Sequence, residues 1–361
     1  MVNYKSAVQK INNILRTVMD VSAKYEILMV TSNKNQTDNS ADYSGDSVKS
    51  EFLSDQEQHQ IYQTLEDLGF RVKQFFDEED FVKFVLKSQD DISKYIVLNS
   101  AQKGIKIGRK SLIPSLCDLY GIKYAGSNPY IVSLCRDKYR TSCILKQNGI
   151  RTPQSWLYDA RYGWINGSPE KFKHPLIIKP NYESSSIGID ESNIGFYDSY
   201  FFNKVKEISL CYKQEILLEE FIEGYEAETP IISCGEPLGI FPVGINLDFE
   251  PCMGKRILNY SNRSVDNYTF FDFSEKFPEI SRQILETAYK TIKLLSITGF
   301  GRVDFRIGSN EMFYVTDIST NPHYTLNSSY YFIFQQLGLD YKDLITCLIA
   351  SSLNNICSIT N

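Results

Sequence analysis

Gly301-Arg302-Val303-Asp304-Phe305-Arg306 and, past a Gly308-Ser309-Asn310 turn, Phe313-Tyr314-Val315-Thr316-Asp317-Ile318-Ser319-Thr320-Asn321-Pro322 decide how the C-terminal part of this chain folds. Two apolar-rich runs flank a turn cluster, so the pattern predicts a hairpin over 302–307 and 312–318. Such a hairpin sets Asp304 beside Asp317. Like charges facing each other across strands repel, and a divalent cation between them relieves the repulsion. Two hard oxygen ligands with phosphate completing the shell describe Mg²⁺. The plainer alternative is a pair of solvated hairpin acids; the apolar neighbours of Asp317 argue against it.

Further back, His174-Pro-Leu-Ile-Ile-Lys179-Pro180 reads as a strand over 176–179. It delivers Lys179 to a loop, Asn181-Tyr-Glu183-Ser184-Ser185-Ser186-Ile187-Gly188. Serine hydroxyls and loop amides wrap polyphosphate oxygens, and an ammonium neutralises them; the bland reading is an exposed lysine at a strand end. Leu217-Leu218-Glu219-Glu220-Phe221-Ile222-Glu223-Gly224-Tyr225-Glu226 puts carboxylates into an apolar strand and one beyond a glycine turn. Carboxylates crowded at a domain edge can accept hydrogen bonds from ribose hydroxyls. Further strands are expected at 229–233 and 240–245, and helices at 137–148, 287–295 and 339–353.

The N-terminal region has another texture. A helical period through Val8, Ile11, Ile14, Leu15 and Val18 precedes short apolar runs at 24–30, 72–76 and 94–98. Ser54 and Glu57 form a capping box for a helix carrying Ile61, Leu65 and Leu68, and a second helix is expected over 112–120. Strands alternating with helices predict a small parallel sheet. Residues 31–50, rich in Asn, Ser, Asp and Gly, read as a long, mobile loop. Gly104-Ile-Lys-Ile-Gly108-Arg109-Lys110-Ser111 falls one residue short of a phosphate loop's spacing and reads as a basic turn leading into the helix.

Composition narrows the function classes. Of 361 residues, 42% are hydrophobic and 23% charged, which fits a globular chain and excludes wholesale disorder. A net charge of −6 argues against a nucleic-acid partner. No apolar run approaches the ~18 residues a membrane span needs, and no secretory signal is visible. A membrane partner is therefore not expected, and a cytoplasmic location is. The eight cysteines are scattered without a C-x-x-C pair, so reduced, buried thiols are expected, and three histidines do not support a zinc site.

In chain order, Lys138, Lys179, Glu219, Glu226, Arg302, Asp304 and Asp317 resemble the ATP-grasp superfamily, and within it the D-alanine–D-alanine ligases and their relatives. Tyr124-Ala-Gly126-Ser127, Cys135-Arg-Asp137-Lys138-Tyr139, Gly149-Ile-Arg-Thr152-Pro153 and Asn321-Pro322 through Ser328-Ser329 support the resemblance, which runs over about 95–350. It implies an α/β (α+β) fold in three domains: an N-terminal domain over 1–126, a central domain over 127–222 and a C-terminal domain over 223–361, with ATP between the last two. It also implies roles. Lys138 and Lys179 would contact ATP phosphates, and the loop around Ser185 would close over them. Glu219, Glu220, Phe221 and Ile222 would hold adenine and ribose, with Glu226 also on the ribose. Asp304, Asp317 and Ser319 would ligate one or two Mg²⁺ ions, Mn²⁺ being a substitute. Arg302, Ser185 and His323 would be the catalytic groups. Arg302, His323, Ser328 and Ser329 would face the amino-acid substrates. The resemblance further implies a homodimer.

The chemistry fits these residue types. A carboxylate is a poor acylating agent, but phosphorylation by ATP gives an acylphosphate that an amine can displace. Holding two anions together requires cations, and the acylphosphate must be kept from water. Residues 252–271, with Gly254, Lys255, Arg256 and Arg263, are the expected lid, with Arg263-Ser264 where the ligases carry Lys-Tyr. Some positions depart from the family. Asp317-Ile318-Ser319 replaces a longer carboxylate and an amide, which suggests a weakened second metal site. His323 stands where glycine is usual, and Ser184 where glycine is common. Residues 31–50 occupy the place of a glycine-rich motif that receives the first substrate's ammonium, which argues for a first substrate other than D-alanine. The leading expectation is an ATP-dependent carboxylate–amine ligase. A true D-alanine–D-alanine ligase and a catalytically impaired nucleotide-binding scaffold are the alternatives.

Overall fold

The short apolar runs of the N-terminal region pair as parallel strands. β1 (Glu26–Thr31), β2 (Val72–Phe75), β3 (Tyr95–Ser100) and β4 (Lys123–Tyr124) form a sheet in the order β2-β1-β3-β4. This computed structural model describes residues 4–18, 20–38, 42–43, 47–88, 91–259 and 267–354. Alternate residues of β1 point to opposite faces, and both faces are covered. Ile27 and Met29 pack with Ile61 and Leu65 of the Asp55–Asp67 helix and with Leu344, Ile345 and Leu348 of the C-terminal Tyr341–Asn354 helix. Leu28 and Val30 face Phe81, Val85, Ile113 and Cys117. The C-terminal helix thereby ties this sheet to Phe241 and Val243 of the last one. The Ser54–Glu57 capping box is present.

A five-stranded antiparallel sheet follows, built from β5 (Ser155–Asp159), β6 (Gly163–Trp164), β7 (Leu176–Pro180), β8 (Ile194–Gly195) and β9 (Ile216–Glu220). The Ser199–Tyr212 helix covers it through Phe201 and Val205. β10 (Gly224–Ser233), β11 (Pro237–Gly239), β12 (Val243–Leu247), β13 (Tyr268–Asp272), β14 (Gly299–Gly308) and β15 (Phe313–Ser319) make the third sheet. Gly224 joins β9 to β10 with φ +147°, and a Cβ there would lie 2.0 Å from the Ile307 carbonyl oxygen, so only glycine fits.

β14 sorts its residues by parity. Val303, Phe305 and Ile307 pack on Ile284, Ala288 and Ile292 of the Pro278–Leu294 helix, each such buried side chain contributing about 1.5–3 kcal/mol. Arg302, Asp304 and Arg306 face the opposite way, into a large cavity.

Several expectations need correction. Among the described residues of 31–50, Thr31, Asn33, Thr37, Tyr43 and Val48 are buried, whereas Lys34, Asn35, Gln36, Asp38 and Asp42 are exposed. Asp42 and Tyr43 are held by the fold, because the Tyr43 ring packs on Tyr212 at 4.7 Å. The helix expected at 287–295 begins at Pro278, where proline occupies the first turn and Ile280 and Ile284 continue the apolar face. Cys143, Cys211 and Cys252 are exposed, not buried, while Cys117, Cys135 and Cys347 are buried. Among the described residues no helix is long and apolar enough to cross a membrane.

Candidate active site

The hairpin of β14 and β15 supplies the floor of the cavity. Arg302 pairs with Ser319 and Asp304 with Asp317, but beyond that pair the register shifts and Phe305 opposes Val315. Thr316 is the extra residue, and its hydroxyl donates to the Asp304 carbonyl at 3.3 Å. This bulge switches faces: Val315 remains in the apolar core while Asp317 and Ser319 line the cavity with Asp304 and Arg302.

Asp304 is buried, and Arg302 grips it in a fork, with Nε to Oδ1 and Nη2 to Oδ2 both at 2.7 Å. Arg302 Nη1 also sits 3.0 Å from Glu228 Oε1. Burial pushes the Asp304 carboxyl up to about 7, Arg302 opposes that shift, and Glu228 and Asp317 add to it. On the Asp317 side, Lys138 lies 3.7 Å from Oδ1, and its ammonium also donates to the Glu183 carbonyl. Among the described residues no group of three or more His, Cys, Asp or Glu side chains could hold a metal ion alone. Two carboxylates with phosphate oxygens completing the shell is the arrangement a small hard cation takes, so the donor set fits one.

The opposite wall comes from the central sheet. Lys179 at the end of β7 is within 2.6 Å of Glu219 Oε2 on β9. Ser185 and Ser186 both take left-handed backbone, φ 51° and 57°, which turns their loop over the cavity. Ser186 Oγ donates to the Leu258 carbonyl at 2.5 Å, fastening the loop to the segment expected to be a lid. Met253, Ile257, Leu258 and Asn259 of that segment are packed; Arg263 and Ser264 lie outside the described residues. Glu226 pairs with Arg306 at 3.2 Å, and Arg306 Nε donates to the Ile222 carbonyl at 3.0 Å. The amides of Glu220 and Phe221 are committed to the Gln154 and Pro175 carbonyls, each at 2.8 Å.

The structure therefore brings Lys138, Lys179, Ser185, Glu219, Glu220, Phe221, Ile222, Glu226, Arg302, Asp304, Asp317, Ser319 and His323 around one cavity. It does not bring Ser328 and Ser329 there. Ser328 caps the Ser329–Gln336 helix and donates to the Thr325 carbonyl at 2.6 Å. Ser329 is buried and donates to Glu228 Oε2 at 2.6 Å, supporting the acid that holds Arg302.

A second set of residues escaped the sequence reading. Arg109, read as part of a basic turn, is buried and forks onto Glu183, with Nη2–Oε2 at 2.8 Å and Nη1–Oε1 at 3.3 Å. Tyr43 donates to Glu183 at 2.7 Å, and the Gln214 amide nitrogen donates to the same Glu183 oxygen at 3.1 Å. Glu51 lies 2.6 Å from Lys110, 3.6 Å from Arg109 and 3.9 Å from Arg136, and accepts from the Ser184 amide at 3.2 Å. Burial alone would raise the Glu51 pKa, but Lys110, Arg136 and Arg109 together hold it well below the usual carboxylate range. The visible signal was the run of basic residues at Lys106, Arg109 and Lys110, which has no acidic partner nearby in sequence.

A three-sheet fold with a cavity lined by two lysines, the Glu226 carboxylate and a cross-strand aspartate pair points to the ATP-grasp ligases, which use ATP in joining a carboxylate to an amine. Comparison with solved structures agrees. The D-alanine–D-alanine ligase of Bacillus anthracis, complexed with ATP, superposes with a TM-score of 0.68 over 91% of this chain and 97% of that one, at 18% identity. Residues 150–350 match the family described as D-ala D-ala ligase C-terminus, and the chain belongs to the D-alanine–D-alanine ligase family. It is 30% identical over 255 residues to the D-alanine–D-alanine ligase of Acetivibrio thermocellus, covering 67% of this chain and 64% of that protein. It is 28% identical over 301 residues to that of Carboxydothermus hydrogenoformans, covering 81% of this chain and 91% of that protein. The match thus spans slightly under two thirds of the first relative and nearly all of the second.

Proposed function

We propose that this chain joins the carboxylate of an amino acid, or a related acid, to the amine of a second amino acid through an acylphosphate, releasing ADP and phosphate. The observation that carries this reading is the Asp304–Asp317 pair, set side by side by the bulge and facing Lys138 across the cavity. Asp304, Asp317 and, more weakly, Ser319 would hold Mg²⁺, which when bound would neutralise the triphosphate and polarise the γ-phosphoryl group. Lys138 and Lys179 would bind phosphate oxygens, with Lys179 exchanging its Glu219 contact for them. The Ser185 turn would cover the phosphates and exclude water. Glu226 would orient the ribose through its own anchor on Arg306. Arg302 would stabilise negative charge at the reacting carboxylate, its orientation set by Asp304 and Glu228. His323 would face the amino-acid substrates.

A cytoplasmic, homodimeric enzyme is part of the same proposal, as is the division of the chain at about residues 126 and 222. The relatives' names favour D-alanine for both substrates; the contact of Tyr43 with Glu183, where the family's glycine-rich motif is absent, favours a different first substrate. Incubation with ATP, Mg²⁺ and pooled D- and L-amino acids, read by phosphate release and product mass spectrometry, tests the reading. A dipeptide-mass product with stoichiometric ADP is expected. It should disappear in Asp304→Asn, and absence of product from every pool overturns the proposal.

A further inference from the structure

A side pocket opens off the main cavity at His323, between the N-terminal sheet and the turn after β15. Glu51, Ser100, Gln102, Lys110, His323 and Thr325 wall it. Glu51, Lys110 and His323 also line the main cavity, so the two spaces are continuous. Leu53, Pro322 and Tyr324 complete its walls, and two of its polar atoms are buried without a hydrogen-bond partner: the Ser100 hydroxyl and the Gln102 side-chain oxygen. Gln102 itself is 4% exposed. Buried polar atoms of this kind are costly unless something pairs with them.

The charge count around the pocket is unequal. Arg109, Lys110 and Arg136 are within ion-pair distance of Glu51 or Glu183, and these two carboxylates are the acids in the cluster. Glu57, the next acid toward His323, keeps its charge and accepts from Ser54, but it lies outside these ion pairs. Both Glu51 oxygens already face cations, so Glu51 has little field left for an incoming ammonium. Within the cluster three cations thus face two acids. Arg109 is sealed off at 1% side-chain exposure, whereas Lys110 retains 11% and borders both spaces. Burial and the neighbouring Arg136 and Arg109, against Glu51, bring the Lys110 ammonium down to about 8, so an added anion would be welcomed electrostatically. Arg302, forked onto Asp304 and paired with Glu228, lines the main cavity together with His323.

We propose that the side pocket takes the side chain of the acid-contributing substrate and selects one bearing a second carboxylate, with Lys110 as its counter-ion. The Ser100 hydroxyl donates to that carboxylate, and the Gln102 oxygen accepts from the substrate's ammonium. The reacting carboxylate then lies toward Arg302. An acidic amino acid answers Lys110 and both unpartnered atoms; alanine leaves the pocket's polar atoms and surplus charge unanswered, and an amide side chain leaves the charge.

This inference rests on the ligase reading, and one experiment separates the two. ADP formation by the full chain is measured with ATP, Mg²⁺ and each of aspartate, glutamate, asparagine, glutamine and alanine, in both stereoisomers, as the acid component, with a pooled amine component. An acidic amino acid is expected to exceed its own amide and alanine by at least tenfold in kcat/KM. Lys110→Gln is expected to erase that preference through KM for the acid, with KM for ATP within about twofold of wild type. Equal or better use of alanine or the amides by wild type overturns the inference and leaves the ligase reading standing. So does a Lys110→Gln variant that keeps the wild-type preference. ADP formation with no amino acid at all overturns both. The wild-type comparison stands even where the variant folds poorly.

Discussion

Replacing Arg109 with methionine tests whether the buried cluster between the N-terminal sheet and the serine loop is structural. Arg109 makes two charge-assisted hydrogen bonds to Glu183, at 2.8 and 3.3 Å, and both side chains are at most 2% exposed. Charge-assisted bonds contribute about 1.5–3 kcal/mol each, and breaking a buried ion pair by removing one partner costs about 3–5 kcal/mol. Tyr43 and Gln214 continue to donate to Glu183, and Arg136 stays 3.9 Å away. The loss therefore belongs at the low end, about 3 kcal/mol. Glu183→Gln in the same background removes the stranded charge and should recover at least about half of it, a coupling of about 1.5 kcal/mol by double-mutant cycle. Urea denaturation followed by tryptophan fluorescence is the assay, because Trp156 and Trp164 both lie in the central sheet that carries Glu183. The variant should also raise KM for ATP, since the Glu183 carbonyl accepts from Lys138. An Arg109→Met protein within about 0.5 kcal/mol of wild type, the range of ordinary surface substitutions, refutes the reasoning.

Glu51 sets a pH dependence. Its folded-state pKa lies below the ordinary 4.5, so it contributes stability above pH 4.5 that is lost as pH falls below that value. Glu51→Gln should flatten the acid limb of the stability curve measured between pH 6 and 3; an unchanged slope counts against the cluster. Gly224→Ala places a Cβ against the Ile307 carbonyl and should cost more than about 3 kcal/mol, read as a large drop in urea midpoint or in soluble yield. Ser329→Ala should cost about 1–3 kcal/mol by leaving Glu228 Oε2 short of its donor, and should reduce kcat with little change in KM for ATP, because Glu228 orients Arg302. A selective rise in KM for ATP would show that Ser329 acts elsewhere.

The hairpin, its turn and the Ser54–Glu57 capping box were legible because each is settled by residues within one or two turns of chain. The period-2 alternation of Val303, Phe305 and Ile307 against Arg302, Asp304 and Arg306 is local in the same sense. The Ser199–Tyr212 and Ser329–Gln336 helices were missed because the central part of the chain has the texture of strands, and their apolar faces are completed by sheets distant in sequence. The family resemblance placed Ser328 and Ser329 near substrate; Asn321 and Pro322 do line the cavity, but the chain between them and the serines carries Ser328 and Ser329 away into a helix cap.

Residue order alone carried the resemblance to the ATP-grasp ligases: two lysines, the acids Glu219 and Glu226 and an aspartate pair are chemical identities, and their collinear order survives any detail of packing. Which of those groups actually meet was settled in three dimensions. A regular β14–β15 register would have sent Asp317 to the core face with Val303; the one-residue bulge at Thr316, invisible to a strict alternation, turns it into the cavity. Likewise Arg109 and Glu183 are 74 positions apart and Tyr43 and Glu183 are 140 apart. Charges that look solvated in a linear chain become a sealed cluster only when two sheets close on them, because burial, not sequence proximity, decides whether an ion must find a partner.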